Sequence, residues 1–419
     1  MDNNDISKKT ATRSIATTAG KTTTSNSSIN KKSRNTPTSA SGAKAAPPAE
    51  EEKKPDPNMV KTLVLIEKKN KSNGAFKSND HQAIYKNAKC DVTEVKERGD
   101  GSFNYQSSVV HGIREAVCDG FNASVLSVEA PNTSSRFESP VWPILNRIVR
   151  SLLSTNSNSQ GELDPKFSLT CGLGYFNNDR VKDLFNDDDN SPFEPFSVHP
   201  SPIYGPCVSQ LKYGQITSGN NFEEVLSASL TRALENPVLT SMKEGVAVAF
   251  VLIKQARITD GHEDLLLSSL VVASAASDVT PYESALDRVQ SETQKYGSIF
   301  HLALNGPCCT CFMFNTADDD SIRTFGSQKG ESTSTEISRL FNLLQRMSTK
   351  ENYPLRNGSV LRFIHYMKAS VAAQKQKLST TSSADEKAKL ERKIKDQERL
   401  LSGAYKTLQD AGIQYDREL

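Results

Sequence analysis

This sequence predicts an α/β fold in which a central sheet is covered by helices on both faces. Between residues 59 and 328, short apolar runs of strand length alternate with segments of helical spacing. Several runs are continuously apolar, as strands buried on two faces are. The overall hydrophobic content of 36% is low, but the shortfall sits at the two ends, which leaves the middle dense enough for a core.

Residues 1–58 are rich in Ser, Thr, Asn, Ala and Lys and nearly empty of large apolar side chains. Such a segment cannot bury enough surface to offset its ordering entropy, so it is expected to be a disordered tail. Its first 45 residues set Lys8, Lys9, Arg13, Lys21, Lys31, Lys32, Arg34 and Lys44 against Asp2 and Asp5. That imbalance suits a solvated tail or a basic arm for a polyanion equally well.

In the middle, Val60 to Ile66 reads as a strand and Val109 to Cys118 as a helix. Ala123 to Val128 is a strand, and Trp142 to Leu153 an amphipathic helix carrying Ile144, Leu145, Ile148, Val149 and Leu152 on one side. Phe167 to Tyr175, Val246 to Ile253, Leu265 to Ala273 and Cys308 to Phe314 are strands; Phe222 to Leu234 and Glu283 to Tyr296 are helices. From 331 to 419 the pattern becomes helical. Ile337, Leu340, Phe341, Leu344 and Met347 share a face, as do Val360, Ile364, Met367, Val371 and Leu378. After a turn at 379–383, Leu390, Ile394, Gln397, Leu401, Ala404, Leu408 and Ala411 follow heptad spacing over about three heptads. So short a seam favours an antiparallel hairpin with the preceding helix over a coil with a second chain.

The formal charge of +2 names no partner for the whole chain. No apolar run is long enough to span a bilayer and no signal-peptide core opens the chain, so an intracellular location is expected. The seven cysteines form no disulfide framework. Cys308, Cys309 and Cys311 lack a second ligand pair and read as part of a buried strand rather than a metal site. Asp187–Asp189 and Asp318–Asp320 lack calcium-loop spacing. The six histidines stand in no catalytic pattern, and no Gly-x-Ser-x-Gly elbow occurs.

Several stretches, taken in order over roughly 60–328, resemble the kinesin motor domain. Gly120-Phe121-Asn122-Ala123-Ser124-Val125-Leu126 resembles the run entering the kinesin phosphate loop. His199-Pro200 through Gly205-Pro206-Cys207-Val208, then Ile216 and a helix ending in Thr231-Arg232, resembles the stretch before switch I. Leu270-Val271 with Ala273 resembles the switch II strand. Asn305-Gly306, Cys311 to Asn315, Asp318 and Ser321 to Phe325 resemble the last motor strand and the helix after it. The resemblance implies a kinesin-motor-like central mixed β-sheet with helices on both faces at 59–328, preceded by the 1–58 tail and followed by C-terminal helices at 331–419.

Set against that family, the nucleotide motifs are degenerate. A phosphate loop needs glycines, a lysine and a Ser/Thr hydroxyl. Here Glu129, Asn132 and Ser134 stand at glycine positions, Ser135 at the lysine and Arg136 at the hydroxyl residue, and Pro131 removes an N–H. At switch I, Thr240 to Glu244 leads straight into Gly245 and the next strand, without the family's serine-arginine-histidine run. At switch II, Val272 stands at the aspartate, Ala275 at the glycine and Ser277 at the glutamate. Phosphoryl transfer rests on positioning by these elements. The resemblance therefore implies no catalytic residue, no bound cofactor and no ATP chemistry.

The expected function is a non-catalytic kinesin-like structural protein, binding microtubules or an axonemal or other cytoskeletal assembly as a static scaffold. Candidate partner-binding residues are Lys8, Lys9, Lys31, Lys32 and Arg34 toward acidic tubulin tails, and Arg288 and Lys295 in the region of the family's lattice-binding face. Leu390, Ile394, Leu401 and Leu408 are candidates for a coiled-coil partner. Two other expectations compete with this one: a pseudo-motor adaptor pairing with a catalytic kinesin heavy chain, and an atypical ATPase. Nucleic acid is disfavoured because the core shows no basic stripe with interleaved aromatics.

Overall fold

A computed structural model describes residues 59–415 apart from 69–75, 86–87, 99–105, 132, 134, 159–165, 187, 189–190, 202–204, 243, 260, 277, 288–294, 319–327 and 356–357. The expected tail at 1–58, with its basic residues, lies outside them.

The chain opens with β1 (Lys61–Lys68), a small antiparallel sheet of β2 (Phe76–Asn79), β3 (Gln82–Tyr85) and β4 (Ala88–Asp91), and then β5 (Glu94–Arg98). Next come α1 (Ser108–Cys118), β6 (Asn122–Glu129), α2 (Val141–Asn158), β7 (Lys166–Asn177) and β8 (Arg180–Asp183). Four short strands follow: β9 (Glu194–Pro195), β10 (Val198–Ser201), β11 (Gly205–Val208) and β12 (Gly214–Ile216). Then α3 (Gly219–Glu235) and α4 (Pro237–Ser241) lead to the long pair β13 (Val246–Thr259) and β14 (His262–Ala275). The rest is α5 (Thr280–Leu286), a 3₁₀ turn at Lys295–Phe300, α6 (His301–Asn305), β15 (Cys308–Asp318), α7 (Gln328–Ser348), α8 (Val360–Thr380) and α9 (Ala384–Asp410).

The main sheet is mixed, with ten strands in the order β5-β1-β15-β6-β14-β13-β7-β8-β9 and β12 beside β7. β5, β1, β15, β6 and β14 run parallel; from β14 through β13 to β9 the neighbours are antiparallel. Side chains alternate between two apolar layers. Leu63, Leu65, Ala123 and Val125 pack under α1, α2 and α3, while Val64, Ile66, Leu126 and Val128 pack under α5, α6 and α7. β6 is buried along its whole length, as a central strand covered on both sides must be.

Two expectations are corrected here. Of the helix expected over Glu283–Tyr296, the described residues show α5, with Pro281 in its first turn and its end at Leu286, and a 3₁₀ turn from Lys295. Nor does packing divide the chain near 328–331. α7 spans that point, and Ile337, Leu340, Phe341, Leu344 and Met347 lie in the same apolar layer as β1, β6 and β15. Residues from Pro55 onward form one compact unit. The helix expected near Ser321–Phe325 falls outside the described residues.

From α7 the chain runs as a strap across the amino ends of the parallel strands. Val60 donates its N–H to Lys350 O, and Asn352, 1% exposed, donates through Nδ2 to Ala303 O, Cys308 O and Thr310 Oγ1. Leu267 donates its N–H to Gly358 O at 2.9 Å. Ser359 Oγ caps α8 and also donates to Asp264 Oδ2, a carboxylate 3% exposed whose Oδ1 accepts the N–H of Leu361. α8 and α9 then fold back antiparallel on Leu265 and Leu267, with Val360, Ile364, Ala404 and Leu408 buried between them.

Candidate functional site

The loops after β6 and β14 leave toward opposite faces of the sheet, β6 to α2 and β14 to α5. A crevice at the carboxyl ends of parallel strands, where such a reversal occurs, is the general ligand site of α/β sheets. Glu129, at the end of β6, and Arg136 stand there, whereas Val272 and Ala275 lie within β14.

Glu129 ends β6 and is 2% exposed. Its Oε1 accepts from Ser127 Oγ and Ser139 Oγ, each at 2.5 Å, and from Ser274 Oγ at 3.4 Å; its Oε2 accepts from Asn315 Nδ2 at 2.6 Å. Burial pushes the carboxyl above its usual range, against the lowering effect of those four donors. Glu129 thus ties β6, β14, β15 and the start of α2 together.

Arg136, 6% exposed, lies across the crevice. Its Nη1 donates to Tyr175 Oη at 2.8 Å, Gly245 O at 2.9 Å and Glu244 O at 3.1 Å, and its Nη2 donates to Met242 O at 2.6 Å. The guanidinium carbon stands 5.4 Å from the Tyr175 ring centre. Tyr175 donates its own hydroxyl to Glu244 O at 2.5 Å, and burial pushes the phenol up to about 12. Burial lowers the Arg136 pKa, while the charges of Tyr175 and Asp278 oppose that shift. An arginine nonetheless stays protonated. Asp278 Oδ2 accepts the N–H of Gly245 and Oδ1 that of Thr280, each at 3.1 Å.

Gly245 has φ +110°, and a Cβ there would meet Tyr175 Oη at 2.5 Å and Phe176 O at 2.7 Å. Only glycine lets the chain pass this close to Tyr175.

The loop before α2 uses its own amides. Ser135 N–H goes to Glu138 Oε2, Glu138 N–H to Ser135 O, and Val141 N–H to Ser139 Oγ. Pro131, Pro140 and Pro143 have no N–H to give. None of the described residues between 129 and 140 takes a positive φ. Beside this loop, between α2 and α3, is a cavity of about 400 Å³. Phe137, Trp142, Leu226 and Leu230 line it, with Glu138 and Glu223 among its polar groups. Apolar walls with carboxylates suit a triphosphate poorly.

Val272 and Ala275 are fully buried within β14, so the strand continues through the positions set against a switch loop. Asn132, Ser134, Ser277 and Arg288 lie outside the described residues, as do Lys8, Lys9, Lys31, Lys32 and Arg34. Lys295 opens the 3₁₀ turn.

The residues proposed for a coiled-coil partner are corrected by the hairpin. Ile394 and Leu408 are buried and Leu390 and Leu401 half-buried within the chain, on the side where Gln397 Nε2 donates to Ser370 Oγ of α8. Cys308, Cys309 and Cys311 lie on β15. Burial holds the Cys308 and Cys311 thiols at about 12, and among the described residues no cluster could hold a metal. Sequence reasoning missed Tyr175, Ser139, Asp278 and Asn315. A tyrosine ending an apolar strand was the one available signal, since a buried hydroxyl requires a partner.

No protein-family model matches the chain, and no curated protein matches it by sequence. Among solved structures it is similar to a fast kinesin described for its ATPase mechanism and interactions with microtubules, with a TM-score of 0.55 and 12% identity, covering 73% of this chain and 95% of that one. No helix among the described residues is long and apolar enough to cross a membrane. Strand order, the two helical layers and that likeness agree: this chain has the fold of a kinesin motor head.

Proposed function

We propose that this chain is a non-catalytic, kinesin-like structural protein that docks on microtubules or a related cytoskeletal assembly, such as an axoneme, without a nucleotide cycle. One observation carries the reading. The Arg136 guanidinium occupies the gap between the loop after β6 and the segment before β13, bonded to carbonyls on the far side. In an active motor of this fold, that gap must open and close around phosphates. Here a buried cation spends its donors on the protein itself, so admitting a triphosphate would require breaking four hydrogen bonds. The carboxyl of Glu129 adds a group unfavourable to an anion.

The adaptor reading loses support, because the seam meant for a catalytic partner faces α8. The atypical-ATPase reading is separated by titrating the full chain with Mg-ATP in a calorimeter, where no heat of binding is expected. Co-sedimentation with microtubules should be identical with ATP, ADP or neither. Micromolar Mg-ATP binding would defeat the non-catalytic reading, and absence of pelleting in all three conditions would defeat the microtubule one.

A further inference from the structure

At the amino ends of the parallel strands, away from the crevice, a cavity of about 350 Å³ lies between α1 and the starts of β1 and β15. Its size is that of a small-molecule site. One wall is the face of α1 made by Val109, Gly112, Ile113 and Ala116, spaced three and four residues apart. Val109 and Ile113 are buried, and Met59 and Pro354 of the strap add further apolar surface.

Gly112 keeps this wall low. A glycine inside a helix is unfavourable beside alanine, and here neither backbone nor packing calls for one. Gly112 has no positive φ, and a Cβ built on it meets nothing within 4 Å.

Charge along the lining has one sign. Among the described lining residues Lys61 is the one cation, and no acidic side chain is present. Burial pushes the Cys309 thiol above its ordinary value and the positive charge of Lys61 opposes that shift, which places the ammonium near the thiol. The Glu94 carboxylate is taken up at the start of α1 by Ser107 Oγ at 2.5 Å, Val109 N–H at 3.3 Å and Lys96 Nζ at 2.9 Å. An ammonium carries three donors, so a further partner of Lys61 does not exclude a ligand carboxylate.

The geometry points to this cavity as a binding site for a small apolar carboxylic acid, with its hydrocarbon body against α1 and its carboxylate on Lys61. Burial of the body supplies affinity, and the cation selects the head group. A phosphorylated ligand would call for several cations and amide donors, where this cavity offers one lysine. The site lies at the other end of the strands from Arg136, so the inference stands whether or not the crevice takes nucleotide.

The test titrates the full chain with decanoate, decanol and decylamine in a calorimeter. These probes share one body and differ in head group. Decanoate is expected to bind saturably, about tenfold or more tighter than decylamine. Gly112→Leu is expected to weaken decanoate about tenfold or more by filling the cavity. Its melting temperature should be no lower than wild type, since leucine is the better helix former. Lys61→Gln should weaken decanoate about fivefold and leave decanol within about twofold. In the wild type, saturating decanoate should slow alkylation of Cys309 by iodoacetamide, read by peptide mass spectrometry, and leave Cys118 and Cys207, the other half-buried thiols, unchanged. The proposal is overturned by no saturable binding of decanoate or by undiminished binding to Gly112→Leu. It is also overturned if decylamine binds as tightly as decanoate, or if Cys309 is alkylated at the same rate with decanoate bound.

Discussion

At the carboxyl ends of the parallel strands a buried cation, Arg136, gathers backbone carbonyls from across a crevice. At the amino ends a buried anion, Asp264, gathers the hydroxyl and amide that begin α8. Both groups tie segments without apolar periodicity to a sheet that is almost entirely apolar. The difference lies in what each tie crosses. Arg136 joins two loops that a motor of this fold would move apart. Asp264 and Asn352 fasten a strap that continues straight into the hairpin. A buried charge of either sign must be saturated by partners or it destabilises the fold. The two ends are therefore expected to be rigid for the same reason, with electrostatics of opposite sign.

Arg136→Ala should have the largest effect. It takes one donor from Tyr175 Oη and three bonds from the carbonyls of Met242, Glu244 and Gly245, and removes the cation near Asp278; removing one partner of a buried charged network costs about 3–5 kcal/mol. Urea unfolding measures it; a loss under about 1 kcal/mol would mean that the crevice is not held by this side chain. Gly358→Ala tests the other end. A Cβ there would stand 1.8 Å from Leu267 O, in backbone that has no room to yield. A loss of about 3 kcal/mol is expected, with faster hydrogen exchange in 350–359 than in the crevice. Equal exchange at both ends would show that strap and crevice open as one unit. Asp264→Ala removes an acceptor of Ser359 Oγ and Leu361 N–H while Ser359 keeps its cap on Arg362 N, so about 1–2 kcal/mol is expected.

The two ends also differ in how far the sequence revealed them. The apolar runs at 60–66, 123–128, 246–253 and 308–314 announced the central strands, because burial on both faces leaves a continuous apolar signature. The long amphipathic helices were equally plain. β2 to β4 and β8 to β12 were not, since short strands at a sheet edge or in a small sheet carry little periodicity. In the crevice, Glu129 and Arg136 stood out only as residues wrong for a phosphate loop; their actual partners lie up to 186 positions away. Local pattern cannot encode such pairings. The strap was invisible for the same reason: the Asn352 amide bonds α6 and β15, and Gly358 O accepts the N–H of Leu267 on β14, all far away in sequence.

The smallest expected effect isolates Glu129, the one acidic group buried in the crevice network with a raised pKa. A carboxyl whose folded pKa lies above its ordinary value of 4.5 holds its proton more tightly in the folded state. Its contribution to stability is fully present below that ordinary value and is lost as pH rises through the folded pKa. Glu129→Gln keeps the shape and removes the titration, and the serine hydroxyls can rotate to meet the amide. The variant should therefore match or exceed the wild type at pH 8, with the difference shrinking steadily as pH falls toward 4.5. Chemical denaturation at a series of pH values gives the two curves. Parallel curves would mean that Glu129 titrates normally inside the fold. Wild-type stability rising with pH relative to Gln would reverse the sign, making Glu129 an ionised carboxylate held by Ser127, Ser139, Ser274 and Asn315.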